Sequence, residues 1–378
     1  MPPIKLIVAS LLLPLATAAW AQPDVTAVTA ERMQAFPAMQ AVENADAYQP
    51  AERVRGQPRV LIRAQRPRIT AAALAEAQAY ADEQKSFAFL VLQDGKLVHE
   101  RYATGFDQHN RFSPASMHKT VMALAVGAAG LDIDAPVSRW LPEWRGDPRG
   151  AITLRHLLTM SSGLETPSFS PDPAGLSAQL FFGPDIAATA LSYKLVAAPG
   201  SIFSYSNGNS QLAGLILERA TGMRYADLLS AKIWRPMRGD DASVWLDRPG
   251  GTAHTFCCLQ ATARDWARIG QLILDGGKVG RRQVVPRKWI AEMAAPAATN
   301  PNYGLQLWLG TPYSAERRYS ASSALVAKAA RPFAREGVLF LDGAVGQRMY
   351  VIPSEKLVIV RIGQSSMTWD DSELPNRV

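Results

Sequence analysis

Ser116 and Lys119 stand three residues apart in Phe112-Ser113-Pro114-Ala115-Ser116-Met117-His118-Lys119-Thr120. If this segment is helical, i and i+3 share one face and the lysine amine reaches the serine hydroxyl. A serine is a weak nucleophile until an adjacent base takes its proton, so the pair is a candidate activated nucleophile. Lys119 would sit in the first helical turn, where the positive end of the helix dipole disfavours an ammonium. Partial burial would lower its pKa further toward that of a usable base. Phe203-Ser204-Tyr205-Ser206-Asn207 supplies a third candidate group. Tyr205, with its pKa lowered by a nearby ammonium, could pass protons as base and acid, and Asn207 could hold a substrate carbonyl. The plainer reading of Tyr205 and Asn207 is a turn and cap before a helix.

Such a set needs helices and a sheet to hold it. Helical spacing of apolar residues predicts helices over Thr70–Lys85, from about Ser116 to Ala129, and over Thr153–Met160, Ser177–Ala190, Ser210–Thr221, Tyr225–Trp234 and Thr262–Asp275. Apolar-rich runs at Phe87–Gln93 and Lys96–Tyr102 flank Asp94-Gly95, the sequence form of a type I′ hairpin turn. Strands are predicted again at Gly304–Leu309, Gly337–Leu341, Arg348–Ile352 and Leu357–Ile362. This order implies an antiparallel sheet built from both ends of the chain, with a helical region inserted between them. Residues 70–140 and 240–378 would form a discontinuous α/β (α+β) domain and 141–239 a mostly helical one. Residues 22–69 show little periodicity and read as an N-terminal arm.

Composition removes several function classes. The chain has 378 residues, 48% apolar and 19% charged, enough for a packed core. Its formal charge is +7, but the arginines are scattered and no basic run or RNA-binding signature is present, so a nucleic-acid partner is not expected. The five histidines form no metal-binding pair and the two cysteines are adjacent, so neither a metal nor another cofactor is expected. Residues 1–21 have the form of a secretory signal peptide, with Lys5, an apolar run from Leu6 to Ala18, and Ala19-Trp20-Ala21 before the cut. The apolar run is too short to span a membrane. A periplasmic or secreted protein without a membrane span follows, and the sequence does not define an oligomeric state.

Taken together, the motifs resemble the penicillin-recognising serine hydrolases. Ser116-Met117-His118-Lys119 and Tyr205-Ser206-Asn207 are similar to that family's S-x-x-K and Y-x-N motifs. The stretch from Ile152 to Leu164 resembles its I-T-x-R-H-L-L-T-M-x-S-G-L signature, and Thr262–Gly270 its T-A-R-D-x-A-R-x-G helix. Gly343-Ala344-Val345-Gly346-Gln347 looks like the start of the strand lining the site. The nearest branch holds class C β-lactamases, related esterases and 6-aminohexanoate-dimer hydrolases. The resemblance implies a β-lactamase/transpeptidase-like fold with the site between an α/β and a helical domain. It also implies Ser116 as acylated nucleophile, Lys119 and Tyr205 as proton carriers, and Asn207 and Gly343 at the substrate. The backbone N–H groups of Ser116 and Ala344 would form the oxyanion hole, where one donor is typically worth about 2.7–4 kcal/mol.

One position departs from the family. Where K-T-G or H-T-G is usual, this chain has Leu341-Asp342-Gly343. A leucine cannot hold a substrate carboxylate, which favours esters or short linear amides over β-lactams and D-Ala-D-Ala peptides. A non-catalytic module binding cell-wall fragments is the alternative of another class. His118 should point away from Ser116, and His156 reads as a helix-packing residue. Cys257-Cys258 could be two buried thiols or a tight vicinal disulfide that stiffens a loop near the site. Arg317, Arg318, Lys328, Arg331 and Arg335, within 311–335, could form a basic rim that selects an anionic substrate, although an ordinary solvated loop explains them as well. Trp369-Asp370-Asp371 could border the cleft.

Overall fold

The structure, a computed structural model, describes residues 24–36, 41–321, 323 and 325–378. The proposed signal peptide lies outside the described residues. The main sheet has six antiparallel strands in the spatial order Lys96–Tyr102, Ser86–Gln93, Leu357–Gly363, Gln347–Ile352, Leu339–Gly343 and Trp308–Leu309. It therefore joins the early hairpin to the C-terminal strands. Asp94 and Gly95 both take positive φ (52° and 71°), the geometry a type I′ turn requires.

Strand alternation gives this sheet two buried faces. Leu341, Met349, Val360 and Leu90 lie across from one another along one row and belong to a large core around the helix His118–Ala129. Phe340, Tyr350, Ile359 and Val91 form the neighbouring row. They pack on the other face in a second core, with residues of the helices Ala71–Glu83 and Glu373–Arg377. A smaller sheet orders Ala51–Val54, Ala242–Trp245, Leu259–Thr262 and Arg111–Phe112. Its last strand leads directly to Ser113 and the nucleophile turn.

Several elements differ from the sequence expectation. The N-terminal arm contains a helix, Val25–Ala35, capped by Asp24, and its Ala51–Val54 segment is a strand of the small sheet. Only Thr29 of that helix is buried, so it carries no apolar stripe to read. It is anchored by Arg32, which donates to the carbonyls of Phe182, Gly183 and Asp247, and by Met33 and Phe36, which pack at the edge of the large core. The region Ser177–Ala190 is two helices, Leu176–Phe182 and Ile186–Leu191. Gly183-Pro184 interrupts it, because proline lacks the N–H a continuing helix needs, and Asp185 caps the second piece. The strand expected at Gly304–Leu309 shrinks to Trp308–Leu309, since 304–307 closes a turn with Gln306 at φ 55°.

Candidate functional site

The turn Ala115–Met117 carries Ser116 into the helix His118–Ala129. Ala115 is held at φ 49°, a left-handed conformation unusual for a residue with a side chain. Ser116 is half-buried and reachable from solvent, whereas Lys119 is 1% exposed. Lys119 Nζ lies 2.7 Å from Ser116 Oγ, 2.8 Å from Asn207 Oδ1 and 2.8 Å from the Phe256 carbonyl oxygen. Burial pushes its pKa well below that of an ordinary lysine, against a smaller upward pull from the Asp342 carboxylate. A neutral amine keeps two N–H donors and one lone pair. Two of its three neighbours are carbonyl oxygens that can only accept, so they take the N–H groups and leave the lone pair facing Ser116. The arrangement can therefore draw the proton off the serine hydroxyl.

Tyr205 lies beside this pair, its ring centroid 5.0 Å from Lys119 Nζ. It stacks on Trp308 and meets Tyr303 and Tyr319 edge-on. The expectation of a lowered tyrosine pKa is corrected: burial in this aromatic setting raises it, the Asp342 charge adds to the rise, and the Ser116 hydroxyl only partly offsets it. With its pKa raised in this way, Tyr205 stays a proton donor. Its loop rests on the signature segment. Ser204 N–H donates to the Met160 carbonyl at 2.8 Å, and Ser206 N–H to Met160 Sδ at 3.4 Å. The helix expected from Ser210 begins three residues earlier, at Asn207, whose side-chain oxygen does not cap it but is turned toward Lys119.

Gly343 ends its strand against the nucleophile turn. A Cβ there would lie 2.2 Å from the Pro114 carbonyl oxygen, which explains a glycine at this position of the triplet. The close approach brings Ala344 alongside the turn that bears Ser116. Ala344 and Val345 are half-buried, and Val345 has φ 49°. For a β-branched residue that is a strained conformation, of the kind concentrated at functional sites. Behind the turn, the buried Arg361 donates to the Gly346 carbonyl, and Gln347 exchanges two hydrogen bonds with Gly363.

Leu341 is fully buried in the larger core and offers no charge to the site. Asp342 points to the opposite face into a closed ionic cluster. It pairs with Arg317 at 2.7 Å and with Arg348, both arginines also bind Asp371, and Tyr319 Oη donates to Asp342 at 2.7 Å. The Tyr319 carbonyl in turn accepts from Tyr205 N–H at 2.8 Å. Arg317 therefore cannot belong to a basic rim. Arg317 is buried over Trp308, 4.0 Å from its ring, while Arg318 and Arg331 pair with Glu316 and Glu373. Trp369 and Asp371 are buried, and Asp371 faces the ionic cluster.

His118 points away from Ser116, as expected from its helical position. Its Nδ1 lies 2.5 Å from the Cys257 carbonyl and its Nε2 2.8 Å from the Tyr225 hydroxyl. Burial drops its pKa to about 3, so Nδ1–H donates to the carbonyl and Nε2 accepts from Tyr225. His156 closes a capping box with Thr153. Cys257 and Cys258 are joined by a disulfide. Among the described residues no group of three or more His, Cys, Asp or Glu side chains converges as a metal site. The Phe256 carbonyl was not foreseeable, because a backbone acceptor carries no residue-type signal. Trp308 and Tyr303 belong to an apolar segment whose proximity to Tyr205 only the fold reveals.

A family model described as Beta-lactamase matches residues 71–374, and the chain belongs to that family of serine hydrolases. The antiparallel sheet flanked by helices is its β-lactamase/transpeptidase-like fold. Among curated proteins the chain is 29% identical over 230 residues to a 6-aminohexanoate-dimer hydrolase of Paenarthrobacter ureafaciens, covering 57% of this chain and 58% of that protein. It is 37% identical over 149 residues to esterase EstB of Burkholderia gladioli, covering 33% and 36% respectively. The chain thus spans less than two thirds of these curated relatives. A solved structure from Bacillus anthracis, described as a candidate 6-aminohexanoate-dimer hydrolase, superposes with TM-score 0.70 over 90% of each chain at 24% identity.

Proposed function

We propose that the protein is an exported hydrolase that cleaves esters or short linear amides through an acyl-enzyme on Ser116. The observation that carries this reading is the environment of Lys119, a buried amine in contact with the Ser116 hydroxyl and two carbonyl oxygens. Ser116 Oγ attacks the substrate carbonyl carbon while its proton passes to Lys119 Nζ. The N–H groups of Ser116 and Ala344 stabilise the oxyanion. Tyr205, kept as a phenol, gives its proton to the departing alcohol or amine and is reprotonated from Lys119. Water then attacks the acyl group by the reverse relay and frees Ser116. Asn207 orients Lys119 and borders the substrate next to Gly343.

The apolar burial of Leu341 supports neutral esters and amides over substrates recognised through a carboxylate. Names of the relatives, a 6-aminohexanoate-dimer hydrolase and an esterase, support linear amides and esters as the bonds cleaved. No described helix is long and apolar enough to cross a membrane, and export rests on the signal-like first 21 residues. The test is hydrolysis of a short p-nitrophenyl ester by the wild type and by Ser116→Ala. Activity that disappears with the serine is expected, and activity surviving in Ser116→Ala would overturn the assignment. An acyl-enzyme that forms but never turns over would identify the binding module instead.

A further inference from the structure

The carbonyl that completes the setting of Lys119 belongs to Phe256, immediately before the disulfide-linked Cys257 and Cys258. This segment bridges the two helices that carry the site. On one side, Thr255 Oγ1 donates to the Ser210 carbonyl at 2.9 Å and Thr255 N–H to Gln211 Oε1 at 3.1 Å. Gly214 of the same helix leaves room for Thr255, since a Cβ there would lie 2.2 Å from Thr255 Oγ1. On the other side, the Cys257 carbonyl accepts from His118, the residue next to Lys119. Cys258 sits at φ 72°, a conformation that L-residues with a side chain seldom adopt. Both cysteines are buried, and the Cys258 carbonyl is itself held by Trp245 N–H and Gln260 Nε2. A covalent link between adjacent residues is a direct way to hold such a turn, because it removes the extended and helical alternatives open to two free cysteines.

We infer that the Cys257–Cys258 disulfide is a positioning element for the site, holding the Phe256 carbonyl on Lys119 and so aiming the amine at Ser116. The inference rests on the reading of Lys119 as the general base. Reduction by a dithiol would transfer two electrons and two protons to the bridge. It would leave two thiols here and a disulfide in the reductant. The turn would then be free to relax, the carbonyl would leave Nζ, and the lone pair would no longer be confined to the serine. Orientation of a base acts on the chemical step rather than on substrate affinity, so the loss falls on the acylation rate constant and not on substrate binding.

The experiment compares stopped-flow acylation by a p-nitrophenyl ester, normalised to titrated active sites, in four proteins: wild type, Cys257→Ser/Cys258→Ser, Cys257→Ser/Cys258→Gly, and Lys119→Ala. Circular dichroism and thermal melting monitor the fold. The double serine variant is expected to acylate about 10–100-fold more slowly with unchanged substrate binding, in line with the loss of a partner that orients a reactive group. Glycine at 258 tolerates positive φ and should recover part of that loss. Wild type treated with dithiothreitol, with two new thiols confirmed by alkylation and mass, should fall to the double serine rate and recover on reoxidation. Two labels in denatured, unreduced wild type would overturn the inference, because the bridge would not exist. Equal acylation rates in wild type and the double serine variant, with Lys119→Ala inactive, would also overturn it alone. Full activity in Lys119→Ala would instead remove the reading on which it rests. If the double serine variant does not fold, the reduced wild type decides by the same criterion.

Discussion

Gly343→Ala is the substitution whose effect the geometry specifies most closely. The new Cβ would lie 2.2 Å from the Pro114 carbonyl oxygen, and real Cβ atoms essentially never approach closer than 3.0 Å, so the strand end and the nucleophile turn must separate by about 0.8 Å. Neither side yields cheaply. The strand end is tied through Gln347 and Arg348, and the turn is fixed by the buried helix it enters. The displacement widens the distance between the N–H groups proposed to hold the oxyanion. A misplacement of about 1 Å can cost about 10²-fold in rate, and loss of one oxyanion donor about 10²–10³-fold. Acylation of Gly343→Ala by a p-nitrophenyl ester, followed by stopped-flow absorbance, should therefore slow by at least about 10²-fold. Overpacking should also lower the stability to urea by about 1–3 kcal/mol. A folded Gly343→Ala protein acylating at the wild-type rate would refute the placement of the oxyanion hole between these two segments.

Lys119→Ala should lower the acylation rate by at least about 10²-fold in the same assay. Since burial holds the amine pKa below its ordinary value, the active neutral form accumulates as pH rises through that depressed pKa. A plot of kcat/KM against pH should accordingly show an acid limb below the usual lysine range, and Lys119→Ala should abolish it. Tyr205→Phe should impair turnover. In the wild type the raised phenol pKa means no loss of rate from Tyr205 ionisation around the ordinary value of 10. Asp342→Ala leaves Arg317 and Arg348 sharing Asp371 alone, one buried positive charge uncompensated, and should cost about 3–5 kcal/mol in urea unfolding.

The reach of the sequence followed the range of the interactions involved. Ser116 and Lys119 meet because of a local three-residue spacing, and the hairpin turn at Asp94-Gly95 is a property of two residues, so both were legible. The strands of the main sheet were legible where runs such as Leu357–Gly363 are buried on both faces. Gly183-Pro184 was a visible break whose weight the surrounding helical pattern concealed. The helix at Val25–Ala35 has no apolar stripe, being held by its cap, by Arg32 and by Met33 and Phe36 at one end, so no periodic pattern marks it. Arg317 looked like one more surface charge in a basic segment. Its burial depends on Asp342 and Asp371, one 25 and the other 54 residues away, a pairing that no local pattern encodes. The raised pKa of Tyr205 lies beyond local pattern for a related reason, since its burial among Trp308, Tyr303 and Tyr319 is a property of the assembled fold.

The ionic cluster under Leu341-Asp342-Gly343 has a consequence for how this chain can change over generations. Two arginines and two aspartates balance one another out of reach of solvent, so any single substitution that alters one charge leaves an uncompensated ion inside the protein. Position 342 is thereby held in common with positions 317, 348 and 371, and a lineage wishing to exchange it must pass through an unstable intermediate or alter two sites together. Leucine at 341 is similarly committed, because a lysine or histidine introduced there would enter an apolar core. A charged side chain at 341 is thus closed off by the packing of the sheet, and changes in specificity are left to the loops around the serine.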